Sequence, residues 1–343
     1  MPKNAVTQPK KTFWDKLPRP FFVLAPMANV TDSVFRKLFA KYGKPDVTWT
    51  EFVSADGLVS SGRENLLADL KFSNKERPIV AQLFTGHPEA MKKAAALVKK
   101  LKFDGLDINM GCPDRAVEKQ GGGASLIKNP KAAIEVLNAA REGAAGIPVS
   151  IKTRIGYNVV DLNWIRLLLE QKLPALTVHL RTRKEMSDVP AHWELMPEIV
   201  KMRDEISPET LIIGNGDAES LDDARAKIKQ YGCDGIMIGR GIFGKPWFFE
   251  ELTHDTNPRI ARIPRIKEKR PEERLKILLE HSKAFEKAFC GKKRIKSFAV
   301  MKKHFKAYVN GWDGAKELRA KLMEANDYIE VKKVVEEYFE AVD

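Results

Sequence analysis

The residues most able to do chemistry lie in the segment DINMGCPDRAVEKQGGGASL, residues 107 to 126. Cys112 follows a short apolar run there, with Asn109 three residues before it and Pro113 directly after it. A free cysteine is more often a small buried hydrophobe than a reactive group. Here, however, Pro113 ends the run directly after Cys112 and polar Asn109 lies close before it, and this setting indicates a site. An unperturbed thiol has a pKa of about 8.5, and without an activating base it favours proton donation over nucleophilic attack. We therefore predict that Cys112 is a general acid.

Composition narrows the class of protein and the kind of partner. The 343 residues include 59 Lys and Arg against 46 Asp and Glu, a formal net charge of +13 that indicates a polyanionic partner, with nucleic acid as the leading candidate. Three widely spaced cysteines form neither a disulfide framework nor a zinc pattern, so no metal is expected. No apolar run approaches the roughly 20 residues needed to cross a bilayer, and the polar start lacks the apolar core of a secretion signal. We expect a cytoplasmic protein with no membrane segment and no evident obligate protein partner.

Short β-branched or apolar runs bounded by turn residues recur eight times along the chain. Helical patterns alternate with them, for example residues 88 to 101 and 220 to 232, the second with Ser220 as N-cap and Gly232 as its stop. This alternation predicts an α/β fold, a (β/α)₈ TIM barrel. The predicted strands are residues 21 to 27, 47 to 53, 78 to 84, 105 to 111, 148 to 154, 175 to 181, 211 to 217 and 235 to 240.

The last part of the chain changes to long helical patterns without strands, such as residues 271 to 289 and 327 to 339. We predict a barrel domain over residues 1 to 258 and a small all-helical C-terminal domain over residues 259 to 343. Residues 287 to 306 hold eight Lys or Arg and no acid. A charge run is usually a solvated helix face, but beside a phosphate-rich substrate it is a candidate RNA-backbone surface. Its proposed contacts are Lys292, Lys293 and Arg294, with Lys296, Lys302, Lys303 and Lys306 as further candidates.

Polar residues gather at the ends of the predicted strands, where TIM barrels build their active sites. Taken singly, each of these residues has a simple structural explanation. For example, His179 could be a core histidine, and Lys152 could pair with Asp107 or Glu51. Their shared position makes a site the better interpretation. The last two strands end in GNGD and GRG, loops of the kind that bind phosphate, so we expect a phosphorylated ligand. The strand ends carry Met27, Glu51, Gln82, Asn109, Cys112, Lys152, Arg154, His179, Asn215, Asp217, Gly239 and Arg240.

Taken together and in order, six motifs resemble those of the dihydrouridine synthases, flavin enzymes that reduce uridine in RNA, usually transfer RNA. The resemblance spans roughly residues 20 to 250, and the C-terminal part is consistent in length and character. The motifs are APMANVTDSVFR (25 to 36), the cysteine segment, IKTRIGY (151 to 157), HLRTR (179 to 183), GNGD (214 to 217) and DGIMIGRGIFGKPWFF (234 to 249).

The resemblance implies reduction of the C5=C6 bond of uridine to 5,6-dihydrouridine, with FMN as cofactor and NADPH or NADH as electron donor. Flavin N5 would give a hydride to C6 and Cys112 a proton to C5, while tRNA is gripped by its body and the target nucleotide leaves its stack. Asn109 and Arg154 would contact the substrate base, and the Lys152 cation beside flavin N1 and O2 would stabilise the negative charge of the reduced flavin. The implied FMN contacts are Ala25, Pro26, Met27, Gln82, Lys152, His179, Asn215, Gly216, Asp217, Gly239 and Arg240.

Two departures and two alternatives accompany the resemblance. Many members carry a tyrosine after the HxRT motif, whereas the loop RTRKEMSDVPAHWE has none, and Lys245 stands where asparagine is commoner. A small-molecule flavin oxidoreductase acting on a free pyrimidine would explain Gln82 and Lys152 equally well, but it leaves the basic helical region without a role. An RNA-binding protein that had lost catalysis would be expected to lack Cys112 or Lys152, and both are present.

Overall fold

A computed structural model describes residues 11–253, 269–291 and 294–342. Its eight strands are parallel and run in the order β1-β8-β7-β6-β5-β4-β3-β2 across one sheet. A bridge between Val23 and Val47 joins the two outer strands and closes the sheet, which confirms the predicted barrel. The strands are β1 (Phe21–Leu24), β2 (Thr48–Ser54), β3 (Ile79–Phe84), β4 (Gly105–Met110), β5 (Val149–Arg154), β6 (Ala175–His179), β7 (Leu211–Asn215) and β8 (Gly235–Ile238).

Helices alternate with these strands, and the described residues after β8 contain helices and no further strand. None within the described ranges is both long and apolar enough to span a bilayer. Short 3₁₀ helices lie at Phe13–Lys16, Asn74–Glu76, Gly123–Lys128, Trp193–Leu195, Arg240–Ile242 and Phe298–Val300. The α-helices are α1 (Ser33–Tyr42), α2 (Ala55–Leu58), α3 (Arg63–Leu66), α4 (Pro88–Lys100), α5 (Arg115–Lys119), α6 (Pro130–Gly143), α7 (Leu162–Leu169), α8 (Met196–Ile206), α9 (Leu221–Tyr231), α10 (Glu250–Thr253), α11 (Pro271–Phe289), α12 (Met301–Tyr308), α13 (Ala315–Glu324) and α14 (Tyr328–Val342).

The helix boundaries follow local sequence signals. The Ser220 hydroxyl oxygen accepts the N–H of Asp223 at 3.0 Å at the start of α9, and Gly232 ends that helix with a left-handed φ of 81°. Helix α11 starts at Pro271, where the missing N–H of proline leaves no intrahelical bond unmade. The predicted caps of α9 and the predicted extent of α11 are therefore confirmed.

The barrel interior is apolar near the starts of the strands and polar near their ends. Trp14 packs against Phe21 and Trp49, which lie near the amino ends of β1 and β2. Two residues further along a strand, the same inward face carries polar side chains, as in the change from Val80 to Gln82. The lower layers therefore supply the hydrophobic core, and the upper layers are left for chemistry.

Contacts divide the chain into two compact units. Among the described residues, the barrel unit comprises 11–28 and 45–240, and the helical unit comprises 29–44, 241–253, 269–291 and 294–342. Helix α1, which follows β1 in the chain, therefore clusters with the C-terminal helices, and Lys41 and Tyr42 at its end both donate hydrogen bonds to Glu280 of α11. The predicted domain boundary between residues 258 and 259 lies outside the described residues.

The core of the helical unit contains two fully buried histidines. His281 of α11 stacks on Phe35 at 5.0 Å between ring centroids and meets His304 of α12 at 4.6 Å. The Nε2 atom of His281 and both ring nitrogens of His304 have no hydrogen-bond partner within the described part of the chain. Burial lowers the pKa of His281 well below its ordinary value and that of His304 to about 3. Both rings are therefore neutral in the folded protein at pH 5 to 7.

We expect acid to destabilise the protein through these histidines. Unfolding exposes the rings and restores a pKa of about 6.5, so the unfolded state takes up protons that the folded state does not. The contribution of His304 to stability should be constant above pH 7 and fall as the pH drops through 6.5, by about 2 kcal/mol between pH 7 and 5, and that of His281 should fall in the same direction. Urea unfolding followed by circular dichroism at pH 5, 6 and 7 measures the fall.

A matched pair of variants assigns the pH dependence. His304→Phe should flatten it, because one of the two buried imidazoles is gone. Phe298→Leu changes a buried apolar side chain of the same unit, removes no titratable group and should leave the pH dependence unchanged. An equal pH dependence in wild type and His304→Phe would contradict the assignment.

Candidate active site

Cys112 lies in the loop that follows β4, and its backbone is fixed from both sides. The side-chain oxygen of Asn109 accepts the N–H of Gly111 at 3.1 Å and of Cys112 at 2.9 Å. The Cys112 carbonyl accepts the N–H of Ala124 at 2.9 Å. Asn109 therefore positions the cysteine, whatever contact it makes with a substrate.

Gly123 explains the glycine-rich sequence beside the cysteine. Its φ of 60° lies in the left-handed region, and a Cβ atom at this position would lie 2.6 Å from the carbonyl oxygen of Cys112. Any side chain there would displace the cysteine. Gly123 is thus the glycine of this segment that close packing against Cys112 requires, whereas Gly121 and Gly122 pack against Gly86 and Thr85.

The Cys112 thiol is held in its neutral form. The side chain is half-buried, and burial raises the pKa of the thiol against the opposing effect of a backbone hydrogen bond at Asp114. A protonated thiol at neutral pH is a proton donor and a poor nucleophile. This state suits the predicted general acid.

Arg154, predicted to contact the substrate base, is buried, and its guanidinium donates hydrogen bonds to backbone carbonyls. Its Nε donates to Gly111 at 2.8 Å, and its Nη1 donates to Thr182 and Met186 at 2.9 Å each. Burial lowers its pKa to about 10, so the guanidinium stays charged at neutral pH. Arg154 therefore ties the loop after β4 to the loop after β6, and its contact with a substrate base stays a prediction.

A second arginine, not predicted as a site residue, also holds the cysteine loop. Both Nε and Nη2 of Arg183 donate to the Glu118 carboxylate, at 3.1 and 2.5 Å, and Nη2 also donates to the Pro113 carbonyl at 3.3 Å. The guanidinium of Arg183 lies 5.4 Å from the ring centre of Tyr157, and the ammonium of Lys128 lies 4.4 Å from the same ring centre. Arg183 is the last residue of the HLRTR motif, so the sequence did mark its position. Its partner Glu118 is 65 residues away in sequence, and the motif alone did not reveal their ion pair.

Lys152, His179 and Asn215 lie on neighbouring strands at the polar end of the barrel. The Lys152 ammonium donates to the side-chain oxygen of Asn215 at 3.0 Å, and the charge of Asp107, one of the two partners considered from sequence, also acts on it. Burial, with a contribution from Arg154, lowers the pKa of Lys152 to about 8. Burial also lowers the pKa of His179 well below its ordinary value. The ends of β5 and β6 thus hold the partly exposed cation of Lys152 and the neutral imidazole of His179, whose buried Nδ1 has no partner among the described residues.

The loops after β7 and β8 form the predicted phosphate region. Gly216 and Asp217 have φ values of 134° and 48°, so successive N–H groups turn as in anion-binding backbone nests. The Asp217 carboxylate accepts hydrogen bonds from Arg181 at 2.5 Å and Arg240 at 2.6 Å. Although burial acts to raise it, these arginines and the N–H of Ala191 hold the pKa of Asp217 below its ordinary value. Asp217 therefore orients two guanidinium groups, and its side chain is already engaged by them.

The remaining predicted contacts of the barrel unit lie beside this region. Ala25 and Pro26 are buried and Met27 is half-buried at the end of β1. A Cβ atom added to Gly239 would lie 3.8 Å from the Ala25 Cβ and 3.9 Å from the Met27 sulfur. The structure thus brings the ends of β1 and β8 together. Gln82 lies deeper, in a buried polar network with Asp107, a residue not predicted to belong to the site.

The described part of the predicted RNA-contact region lies in the helical unit. Lys292 and Lys293 lie outside the described residues. Arg294 is exposed, and so are Lys303 and Lys306 on α12. Within the part of the chain that the structure describes, no group of three His, Cys, Asp or Glu side chains could hold a metal ion.

A closed parallel barrel with polar residues at its strand ends is the architecture of TIM-barrel enzymes. The model of the family described as "Dihydrouridine synthase (Dus)" matches residues 23–343. The chain therefore belongs to the dihydrouridine synthases, a family of oxidoreductases. It is 40% identical over 337 residues to the "Probable tRNA-dihydrouridine synthase" of Staphylococcus aureus (strain COL), covering 97% of this chain and 98% of that protein. It is 41% identical over 331 residues to the "Probable tRNA-dihydrouridine synthase 2" of Bacillus subtilis (strain 168), covering 96% and 97%.

Similar solved structures support the fold alone. Histamine dehydrogenase from Rhizobium sp. 4-9 aligns with a TM-score of 0.50 at 13% identity, covering 68% of this chain and 45% of that one. A 2-naphthoyl-CoA reductase aligns with a TM-score of 0.51 at 10% identity, covering 68% and 49%. The shared part corresponds in size to the barrel.

Proposed function

We propose that this protein reduces the C5=C6 bond of a uridine in tRNA to 5,6-dihydrouridine, using FMN and NADPH or NADH. The observation that carries the proposal is the neutral, half-buried thiol of Cys112 at the same barrel mouth as the Lys152 cation. The relatives that align over nearly the whole length of both chains are named probable tRNA-dihydrouridine synthases, and these names support a tRNA substrate.

The residues at the mouth fit FMN. The left-handed turn at Gly216 and Asp217, with Arg240 beside it, offers N–H groups and a cation to a phosphate. The Nδ1 of His179, which has no partner in the part of the chain that the structure describes, and the ammonium of Lys152 offer polar contacts to a flavin edge. When bound there, FMN would supply the hydride for C6 of the uracil.

The side chains of the protein have separate tasks in this reaction. The Cys112 thiol gives its proton to C5, and because the side chain is half-exposed it can regain a proton from solvent. Asn109 and Arg154 hold the loop that carries the thiol. Lys152 supplies positive charge where negative charge accumulates during reduction.

We propose that the helical unit contributes contacts to the RNA backbone. Arg294, Lys303 and Lys306 expose their side chains, within a stretch that contains no acid from residue 287 to 306. Phosphate contacts of this kind give affinity without sequence specificity, because every nucleotide carries the same group.

Replacing these three residues together with glutamine should weaken tRNA binding and reduce its salt dependence. Each lost phosphate contact removes about 0.7 to 0.9 from the slope of log affinity against log salt concentration. A triple variant should therefore change the slope by about 2 to 3 if all three residues make contact. Filter binding at several salt concentrations measures the slope.

A charge-matched control separates local contacts from the general effect of net charge. Lys229, Lys316 and Lys321 are also exposed, but they lie on α9 and α13, outside the acid-free stretch. Replacing them with glutamine lowers the net charge by the same amount. Equal changes in slope for both triple variants would remove the assignment of Arg294, Lys303 and Lys306.

The function is tested by recording the visible spectrum of the purified protein and assaying dihydrouridine formation with NADPH on tRNA that lacks the modification. A flavin spectrum and product in tRNA would support the proposal. Turnover of free pyrimidines alone would favour the small-molecule oxidoreductase instead. A protein that neither carries nor binds FMN would contradict both functions.

A further inference from the structure

A continuous chain of hydrogen bonds runs under the candidate site from β5 to the cysteine loop. The Ser150 hydroxyl donates to one oxygen of Asp107 at 2.5 Å, and the Gln82 amide nitrogen donates to the other at 2.7 Å. The Asn109 amide nitrogen donates to the Gln82 oxygen at 3.1 Å. The Asn109 oxygen then accepts the N–H of Cys112 at 2.9 Å.

The carboxylate sets the direction of the bonds at one end of this chain, and the N–H groups of Gly111 and Cys112 set it at the other end. An ionised carboxylate can only accept, so Gln82 must turn its NH₂ group toward Asp107 and its oxygen toward Asn109. Asn109 must then turn its NH₂ group toward Gln82 and its oxygen toward the N–H of Cys112. If the Gln82 amide turned over, Asn109 would follow, and its NH₂ group would face the N–H of Cys112, donor against donor.

Strand register and burial make this arrangement specific. Gln82, Asp107 and Ser150 are direct partners across β3, β4 and β5, and all three are buried. A buried amide that faced the wrong partner would lose its hydrogen bonds without replacement by water. The arrangement therefore has one strongly preferred state while Asp107 is ionised.

We propose that Asp107 is a positioning residue, whose carboxylate sets the orientation of the Gln82 and Asn109 amides and through them the FMN-binding edge of the barrel and the backbone of Cys112. This inference rests on the proposed function.

Protonation of Asp107 should release the arrangement. Burial raises the pKa of this carboxyl to about 6, opposed by the hydrogen bonds from Gln82 and Ser150 and by the charge of Lys152. The indole of Trp49 on β2, two strands away in the sheet, also acts to lower this pKa. The carboxylate therefore directs the amides above about pH 6, and below that pH the carboxylic acid can donate as well as accept, so it no longer imposes one direction.

Binding of FMN to the apoprotein at pH 5 to 8, followed by quenching of flavin fluorescence, tests the proposal. In the wild type, affinity should fall as the pH drops through the pKa of Asp107. Asp107→Asn keeps the shape but can donate as well as accept, so it should bind FMN about tenfold more weakly at pH 8. The second ionisation of the FMN phosphate, near pH 6, affects both proteins alike, so the difference between them isolates Asp107.

Ser150→Ala gives a signed second test that keeps the bond between Gln82 and Asp107. It removes a hydrogen bond that favours the ionised carboxyl, so the pKa of Asp107 should rise and the acid loss of FMN affinity should move to higher pH. A residue that served packing alone would not shift this pH dependence. This variant also carries the test if circular dichroism shows that Asp107→Asn does not fold.

The outcomes are distinct. Equal affinity and pH dependence in wild type and Asp107→Asn, or an unmoved acid limb in Ser150→Ala, would overturn the positioning role. A wild-type protein that does not bind FMN would instead overturn the proposed function.

Discussion

Cys112→Ala is expected to lower the rate of uridine reduction in tRNA by about 10²-fold to 10⁴-fold, the contribution of a positioned general acid. FMN binding and its reduction by NADPH should stay close to wild type, because the Cys112 thiol takes part only in proton transfer to C5. The two half-reactions are measured separately, flavin reduction by stopped-flow absorbance without RNA and dihydrouridine formation by a single-turnover assay with tRNA.

The matched control is Cys290→Ala. Cys290 is also half-buried, but it lies at the end of α11 in the helical unit, where its thiol donates to the Lys296 carbonyl at 3.5 Å. This variant should keep both half-reactions. If Cys112→Ala reduces uridine in natural tRNA as fast as the wild type, the proton must come from another group.

Lys152→Met should slow the reduction of bound FMN by NADPH by about 10²-fold to 10³-fold, as expected when one preorganised charge is removed from a buried site. The reason is electrostatic, since Lys152 is the cation that meets the growing negative charge. Its pKa of about 8 adds a signed pH dependence. The wild-type rate should be highest below pH 8 and fall as the pH rises through that value, because the ammonium is then lost.

Two comparisons check the assignment of Lys152. Lys152→Met should have a low rate that no longer falls above pH 8. Lys131→Met removes an exposed lysine from α6 and should retain the wild-type rate and pH profile. A fall above pH 8 that persists in Lys152→Met would show that another group titrates there.

Local sequence signals were sufficient to predict the strands and several helices. The eight predicted runs coincide with β1 to β8 to within a few residues, because turn residues bound each run and the apolar content within it is high. Ser220 and Gly232 defined α9 because capping depends only on neighbouring residues. The position of Cys112 at a strand end also follows from local sequence alone.

The polar network needed the structure because its partners are distant in sequence. Lys152 and Asn215 are 63 residues apart, and Arg154 reaches carbonyls 28 to 43 residues away. From sequence alone, Asp107 could not be distinguished from a strand residue that only forms an ion pair. Its proposed positioning role depends on its register with Gln82 and Ser150, which the sequence does not give. The alternation of polar residues along β4 and β5 was the available signal, because every second residue faces the barrel interior.

The hydrogen bonds from Arg154 to Gly111, Thr182 and Met186 hold the loops after β4 and β6 in one conformation, so these loops have already lost their conformational entropy in the folded protein. A lysine could not replace this planar fork of donors, so the two loops are held together by one specific side chain. Their ordering takes place once, during folding, and not at each binding event. In the proposed reaction, the conformational cost of each turnover therefore falls on the RNA. Uridines that are already unstacked in a tRNA loop should be reached most readily.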